Sequence, residues 1–323
     1  MRANPLLYLL DSVKSQSLFP DEILIIDGST NEETRIALEK YTISNLKYYC
    51  VDAANRGLTK QRNFGIAHVA NDSEIVCFLD DDTYLQPNYF EALIGTYSTF
   101  PDALGVGGYI SNETQWEKVD SNYQPNQNEF FYDGWKRKDG SRFVVRKRLG
   151  LDSNLPPCFL PEFSHGRSVG FLPPSGKIYE VQQFMGGVSS FKKEVLEQYK
   201  FSTYFEGYGL YEDADYTLRL SNIGQLYLNT NAQLAHYHDG SGRPNKYSYG
   251  KMVIRNGWYV WRVKYPKPRL IARLKWNSIA LLLTIIRGTN VLTTQSKKEA
   301  FTETMGRVAG WFSLIYNKPK ISN

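Results

Sequence analysis

Three features of the sequence predict an α/β fold built on a mostly parallel sheet. Strand-like apolar runs alternate with helix-like periods through the first third of the chain. The uninterrupted run Ile75-Val76-Cys77-Phe78-Leu79 reads as a buried strand rather than a half-exposed one. That run ends on three consecutive carboxylates, Asp80, Asp81 and Asp82, and the carboxyl edge of an open α/β sheet is where ligands bind.

Leu6 to Ser17 carries helical spacing in Leu6, Leu7, Leu9, Leu10 and Val13. Glu22 to Ile26 is a strand ending at Asp27-Gly28-Ser29, a turn into a helix that reaches about Tyr41. Leu46 to Val51 is the next strand, Leu58 to Ala70 the next helix, and Glu74 to Leu79 the strand that carries the aspartates. Such alternation with short loops is the pattern of βαβ units. Pro87, suited to a first helical turn, opens a helix to about Tyr97. From residue 111 to 180 the pattern dissolves into Asn, Gln, Gly and Pro, with aromatics and a basic run from Lys136 to Arg148. A stretch of that length within a domain is a lid, a binding loop or disordered. Order returns at Phe184-Met185-Gly186-Gly187. Helices follow near Lys192 to Tyr199 and from Glu212 to Ser221, then short strands around Leu226 and Leu234. Helices fill Lys246 to Val263 and most of the remainder.

With 42% hydrophobic and 22% charged residues in 323, the chain has an ordinary globular composition and ample material for a core. Cys50, Cys77 and Cys158 lack metal-like spacing; Cys50 and Cys77, inside apolar runs, read as small core residues in a reducing compartment. No secretory pattern opens the sequence. Charge is uneven. From Arg243 to Lys320 there are sixteen Lys or Arg against Glu299 and Glu303, a local +14 against a total of +5. A basic segment of this kind suits an anionic surface, phospholipid or nucleic acid. The longest apolar run there lies between Lys275 and Arg287 and is too short to span a bilayer, though it could lie on one.

Adjacent carboxylates repel one another and are costly to hold together without a cation. A hard divalent ion, Mg²⁺ or Mn²⁺, bound through oxygen while keeping waters and substrate phosphates, suits Asp80-Asp81-Asp82; a solvated acidic turn is the alternative. Asp27 ends its strand at the same edge, where Asp-Gly-Ser is also an ordinary turn and helix cap. Arg62 has the planar fork that pairs with phosphate, unless it sits on a solvated helix face. Glu212-Asp213 follows the Gly-rich aromatic loop Phe205 to Gly209, and acids there also favour a helix N-terminus.

Pro20 to Thr30, Asn55 to Gly65, Phe78 to Asp82, Gly186-Gly187, Glu212-Asp213 and His236-Tyr237-His238 stand in one order at plausible spacing. In these segments the chain resembles the inverting glycosyltransferases of family 2, of bacterial polysaccharide type, which have the GT-A fold. The resemblance covers residues 6 to 110 and 181 to 262. It implies a mixed, mostly parallel sheet flanked by helices in a catalytic domain over 1–242, with 111–180 as an insertion or lid. Residues 243–323 would be a basic, partly amphipathic helical extension. The implied donor is a nucleotide-diphosphate sugar, UDP or dTDP favoured, and the acceptor a hydroxyl of a glycan or lipid-linked molecule, with no nucleic acid involved. Mn²⁺ or Mg²⁺ would be held by Asp80 and Asp82 with His236 or His238, while Asp81 touches ribose or metal. Asp27 would accept from a pyrimidine ring N–H; Gly28, Ser29, Asn55, Arg62, Asp80, Asp81 and Gly187 would complete the donor site. An inverting transfer is one in-line displacement, which needs a carboxylate to take the acceptor proton. The family assigns that to the second acid of the pair, here Asp213, with Glu212 orienting the acceptor. The implied location is cytoplasmic, peripheral on the inner face of the membrane. Trp258, Tyr259 and Trp261 would then form an interfacial stripe on an anionic membrane surface, or else pack into the core.

Family members open with a strand that this sequence lacks. The natural start is therefore expected upstream of Met1, and the Glu22–Ile26 and Glu74–Leu79 strands are expected not to pair with each other. Two other functions compete. A nucleotidyltransferase uses carboxylates and metal but gives no reason for the Glu-Asp pair or the paired histidines. A catalytically impaired sugar- or membrane-binding module sits poorly with intact Asp80, Asp82 and Asp213.

Overall fold

The computed structural model describes residues 2–120, 122–237 and 244–321. They form two compact units, one of residues 1–115 and 172–241, the other of 116–171 and 242–323. The first unit opens with α1 (Ala3–Lys14), which buries Leu6, Leu9, Leu10 and Val13 as its helical spacing dictates. Next come β1 (Ile23–Asp27), α2 (Glu33–Glu39), β2 (Leu46–Cys50), α3 (Leu58–Ile66), β3 (Ile75–Leu79), β4 (Thr83–Leu85), α4 (Tyr89–Thr99) and β5 (Ala103–Ile110). The second unit then contributes β6 (Glu117–Lys118), β7 (Glu129–Tyr132), β8 (Trp135–Lys138) and α5 (Ser141–Arg148). The first resumes with β9 (Ile178–Val181), β10 (Val188–Lys192), α6 (Lys193–Gln198), α7 (Glu212–Leu220) and β11 (Gln225–His236). The second closes with α8 (Lys246–Lys264), α9 (Leu270–Thr293) and α10 (Lys297–Tyr316).

The main sheet of the first unit runs β3-β10-β5-β11-β4, with β9 also paired to β11. It is mixed: β5 and β11 run parallel, while β10 lies antiparallel between β3 and β5. α1 and α4 pack on it through a core that includes Leu10, Tyr89, Leu93, Val106 and Leu234. β1 and β2 form a separate parallel pair. As expected, β1 and β3 are not hydrogen-bonded to each other.

Several expectations change. β3 was expected to be fully buried, yet all five of its residues are only partly covered, because β10 is its one partner among the described residues. Cys50, at the end of β2, is exposed rather than in the core. The segment that dissolves in sequence contains a three-stranded antiparallel sheet, β6-β8-β7, and helix α5. It is held by Arg167, buried between Asp139 and Asp152 at 3.0 and 2.8 Å. Leu226 and Leu234 lie on one long strand, β11. Of the α8 aromatics that read either as an interfacial stripe or as core, Tyr259 and Trp261 are buried, with Trp261 stacked on Trp276 at 5.3 Å, while Trp258 is only partly covered.

Candidate active site

Strand pairing brings the acidic residues together. β3 and β4, at opposite ends of the strand order, are joined by Asp80-Asp81-Asp82, so the three carboxylates follow a strand paired to β10 and precede one paired to β11. On one side Val188 of β10 stands opposite Leu79, which sets Gly187 beside Asp80: the Asp80 N–H donates to the Gly187 carbonyl at 3.0 Å. On the other side the end of β11 pairs His236 with Thr83, and the imidazole Nε2 lies 3.0 Å from Asp82 Oδ1. Asp80, Asp82 and His236 each offer a ligand atom, all within 4.8 Å of one another. The other ring nitrogen, Nδ1, is 3.2 Å from Glu113 Oε1, the carboxylate–histidine arrangement that fixes ring orientation at metal sites. Two carboxylates and one oriented imidazole fit a divalent ion such as Mn²⁺. His238, the other histidine expected at this site, lies outside the described residues.

Asp81 points elsewhere. Its carboxylate takes the Arg2 guanidinium and the Arg2 N–H, the latter at 3.0 Å, and the same guanidinium reaches Asp82 at 2.9 Å. Burial pushes the Asp82 acid up, but the hydrogen bonds from His236 and Arg2 outweigh it and bring the carboxyl down to about 2. His236 is raised to about 10, first by Asp82 and then by Glu113.

A second carboxylate set forms where α7 begins. Glu212 and Asp213 occupy its first turn, where acids complement the helix dipole. Arg62, on α3, is buried with Glu212 at an N–O distance of 2.5 Å and lies against the rings of Phe78 and Phe201. Burial raises Glu212 to about 8 despite the pull of Arg62, and its Oε2 is buried without a hydrogen-bond partner. Burial also pushes Asp213 up, opposed by the Ala214 N–H at 2.7 Å, by Arg62, and by the Gly186 N–H at 3.3 Å. Arg62 feels Asp80 and Asp213 as well as Glu212, so one buried cation links the two sets.

Gly186 and Gly187 join them spatially. A Cβ at Gly187 would sit 2.1 Å from the Asp80 carboxylate, and one at Gly186 would sit 2.6 Å from both Arg62 and Glu212. The turn is glycine because side chains of the site fill the space where a Cβ would go.

The remaining expected donor residues cluster at the end of β1. Asp27 is buried and accepts from the Ser29 N–H at 2.8 Å and the Tyr48 hydroxyl at 3.0 Å. Burial works against its ionisation, yet these bonds hold its carboxyl below the usual value. Gly28 packs on Gln61, whose amide donates to the Ile26 carbonyl at 2.9 Å. Asn55 is bound to Asp52 through both its N–H and its side chain, each at 3.0 Å. Sequence reasoning missed Arg2, Glu113 and Gln61. Gln61 lies inside the recognised segment Asn55 to Gly65, whereas Arg2 precedes every recognised segment and Glu113 stands in the irregular one, with no signal to mark either.

Residues 1–152 match the family model described as glycosyl transferase family 2. A glucosyl-dolichyl phosphate glucuronosyltransferase of Haloferax volcanii is 32% identical over 102 residues, 31% of this chain and 32% of that protein. A putative glycosyltransferase of Bacillus subtilis, EpsH, is 33% identical over 88 residues, 27% of this chain and 25% of that protein. The matched stretches thus span a third or less of these relatives. Among solved structures, a mannosyltransferase from Pyrobaculum calidifontis in complex with GDP-Man and Mn²⁺ superposes with a TM-score of 0.51 at 12% identity. That match covers 98% of this chain and 85% of that one, a likeness of fold.

Proposed function

Through residues 1–152 the chain belongs to glycosyltransferase family 2 and has the GT-A fold, and from that premise we propose that it is a metal-dependent, inverting sugar transferase. The donor is a nucleotide-diphosphate sugar, with UDP or dTDP as the nucleotide, and the acceptor is a hydroxyl of a glycan or of a lipid-linked molecule. The enzyme acts on the cytoplasmic side, peripheral to an anionic membrane surface. One observation carries the reading: two carboxylate sets, one with a histidine and one with a buried arginine, flank the Gly186-Gly187 turn.

Asp80, Asp82 and His236 are the residues that hold the cation, with Glu113 orienting the imidazole. When bound, a divalent ion supplies positive charge against the diphosphate as it departs. Asp213 accepts the proton of the acceptor hydroxyl while that oxygen attacks the anomeric carbon. The carbon–oxygen bond to the diphosphate breaks, and the nucleotide leaves with the electron pair on the opposite face. The Ala214 and Gly186 N–H groups fix the carboxylate for this task. Arg62 and Glu212 support Asp213 from a position closed to solvent. Asp27 receives the base and Arg62 adds to the positive field near the phosphates.

The test is nucleotide release from a panel of UDP-, dTDP- and GDP-sugars with Mn²⁺, with and without chelator. The expected result is metal-dependent release that Asp82→Ala abolishes. Release that survives both chelation and Asp82→Ala would sink the mechanism.

A further inference from the structure

The exposed large apolar residues of α9 and α10 fall mostly in one stripe on each helix, with Ile271 and Ile315 just outside it. On α9 the stripe is Leu270, Leu274, Leu281, Ile285 and Leu292; on α10 it is Phe301, Met305, Phe312 and Tyr316. These residues are between 44% and 82% exposed. Their spacing alternates four and seven residues, which at about 100° per residue confines each stripe to an arc of about 60°.

The two stripes share one flank of the hairpin. The helices are joined by residues 294–296 and run antiparallel. The Trp311 indole donates to Asn277 at 2.9 Å, and Arg287 pairs with Glu303 at 2.8 Å. From that contact line each stripe is displaced in the same rotational sense along its own helix. In an antiparallel pair, that sets both on the same side. α8 covers the opposite side of α10, where a Cβ at Gly306 would meet the Tyr247 carbonyl at 2.1 Å. A flank with nine large apolar side chains exceeds what scattered surface residues explain and marks an interaction surface.

Charge decides its occupant. Between Leu270 and Tyr316 there are six Lys or Arg and two acids, Glu299 and Glu303. Glu303 is buried and bound by both Arg287 and Arg307. Arg273, Lys297 and Lys298 are exposed, and so are Lys318 and Lys320 beyond α10. A second copy would set one positive hairpin against another. An anionic lipid surface would complement it. Where α9 begins and α10 ends, a cleft of about 360 Å³ is walled by Trp258, Trp276 and Trp311 and bordered by Arg262, Arg273 and Lys318. Indole walls under guanidinium and ammonium groups suit the headgroup layer, where one end of the site is apolar and the other wet. No helix among the described residues is long and apolar enough to cross a membrane.

We propose that the α9–α10 flank lies in the interface of an anionic phospholipid bilayer, apolar stripes toward the acyl chains and cations on the phosphates. This deepens the membrane part of the functional reading and stands apart from the transfer chemistry.

Sedimentation of the full chain with phosphatidylcholine vesicles, with and without phosphatidylglycerol, tests it. Binding is expected only with phosphatidylglycerol, weakening as salt rises. The pair Leu281→Ser and Phe312→Ser, both exposed, should weaken vesicle binding about tenfold or more, given the apolar area withdrawn from the interface. The thermal midpoint and nucleotide release should be unchanged in this variant. Three results would overturn the proposal: no binding to either vesicle, equal binding by the double variant, or a dimer in solution that the double variant dissociates. Loss of nucleotide release in Asp82→Ala with vesicle binding intact leaves it standing.

Discussion

Two carboxylates of the site, Asp82 and Glu212, are shifted in opposite directions, while burial pushes Asp80 and Asp213 up alike. Asp82 is largely covered but holds two cationic partners, Arg2 and His236, so its acid falls to about 2. Glu212 is buried with a single cation and an unbonded oxygen, so its acid rises to about 8. Burial acts on both in the same direction; the number of hydrogen bonds to the charged form decides which term wins. Asp82 is thereby kept charged, as a carboxylate that holds a cation must be. Glu212 is held near neutral pH in its titration, and burial also pushes its neighbour Asp213 up. Environments that push neighbouring carboxyl groups apart are how one site separates its acid–base roles.

Asp213→Asn is the sharpest way to break this division. The amide keeps the shape and loses the ability to accept a proton. kcat is expected to fall by about 10²–10⁴-fold, the usual worth of a general base, with Mn²⁺ affinity and donor KM nearly unchanged. Equal losses in kcat and metal affinity would mean that the two sets are one unit rather than two.

Gly187→Ala attacks the other half. Its Cβ would enter the space of the Asp80 carboxylate, so Asp80 must rotate away from Asp82 and His236. Displacing a ligand through its supporting contacts costs about 10- to 100-fold in metal affinity. Mn²⁺ titration followed by paramagnetic relaxation reads this directly. Unchanged affinity would remove Asp80 from the ligand set.

The contrast between the halves also separates what was legible in the sequence from what was not. β1, β2, β3 and the helices between them announce themselves through local periodicity, and the aspartates mark a strand end. β5 went unseen because Gly105, Gly107 and Gly108 depress strand propensity; each gives way to a neighbouring aromatic, Phe191, Phe184 or Tyr89. β10 is too short and polar to stand out, yet it places Gly187 against Asp80. The candidate ligands and base were visible as motifs. Their partners were not, because Glu113 reaches His236 and Arg62 reaches Glu212 across 123 and 150 positions of chain, a separation that only the fold closes.

The smallest expected effect sharpens the comparison most cleanly, because it reads stability rather than activity. Glu212 rises from 4.5 to about 8 on folding, so the folded protein binds the extra proton. Its contribution to stability is full below 4.5 and is lost as pH rises through about 8. Asp82 is the reverse: its acid falls from 3.8 to about 2, so its contribution is present above 3.8 and is lost only as pH drops through about 2. Between about pH 5 and pH 8, therefore, Glu212 moves the unfolding equilibrium and Asp82 does not. Glu212→Gln mimics the neutral acid and should gain on the wild type across that window, by a few degrees in thermal midpoint, on the order expected for a chain of this size. Asp82→Asn should show a constant offset instead. If the Glu212→Gln difference stays flat with pH, then Arg62 keeps Glu212 ionised throughout, and the buried half is a structural ion pair rather than a proton-exchanging one.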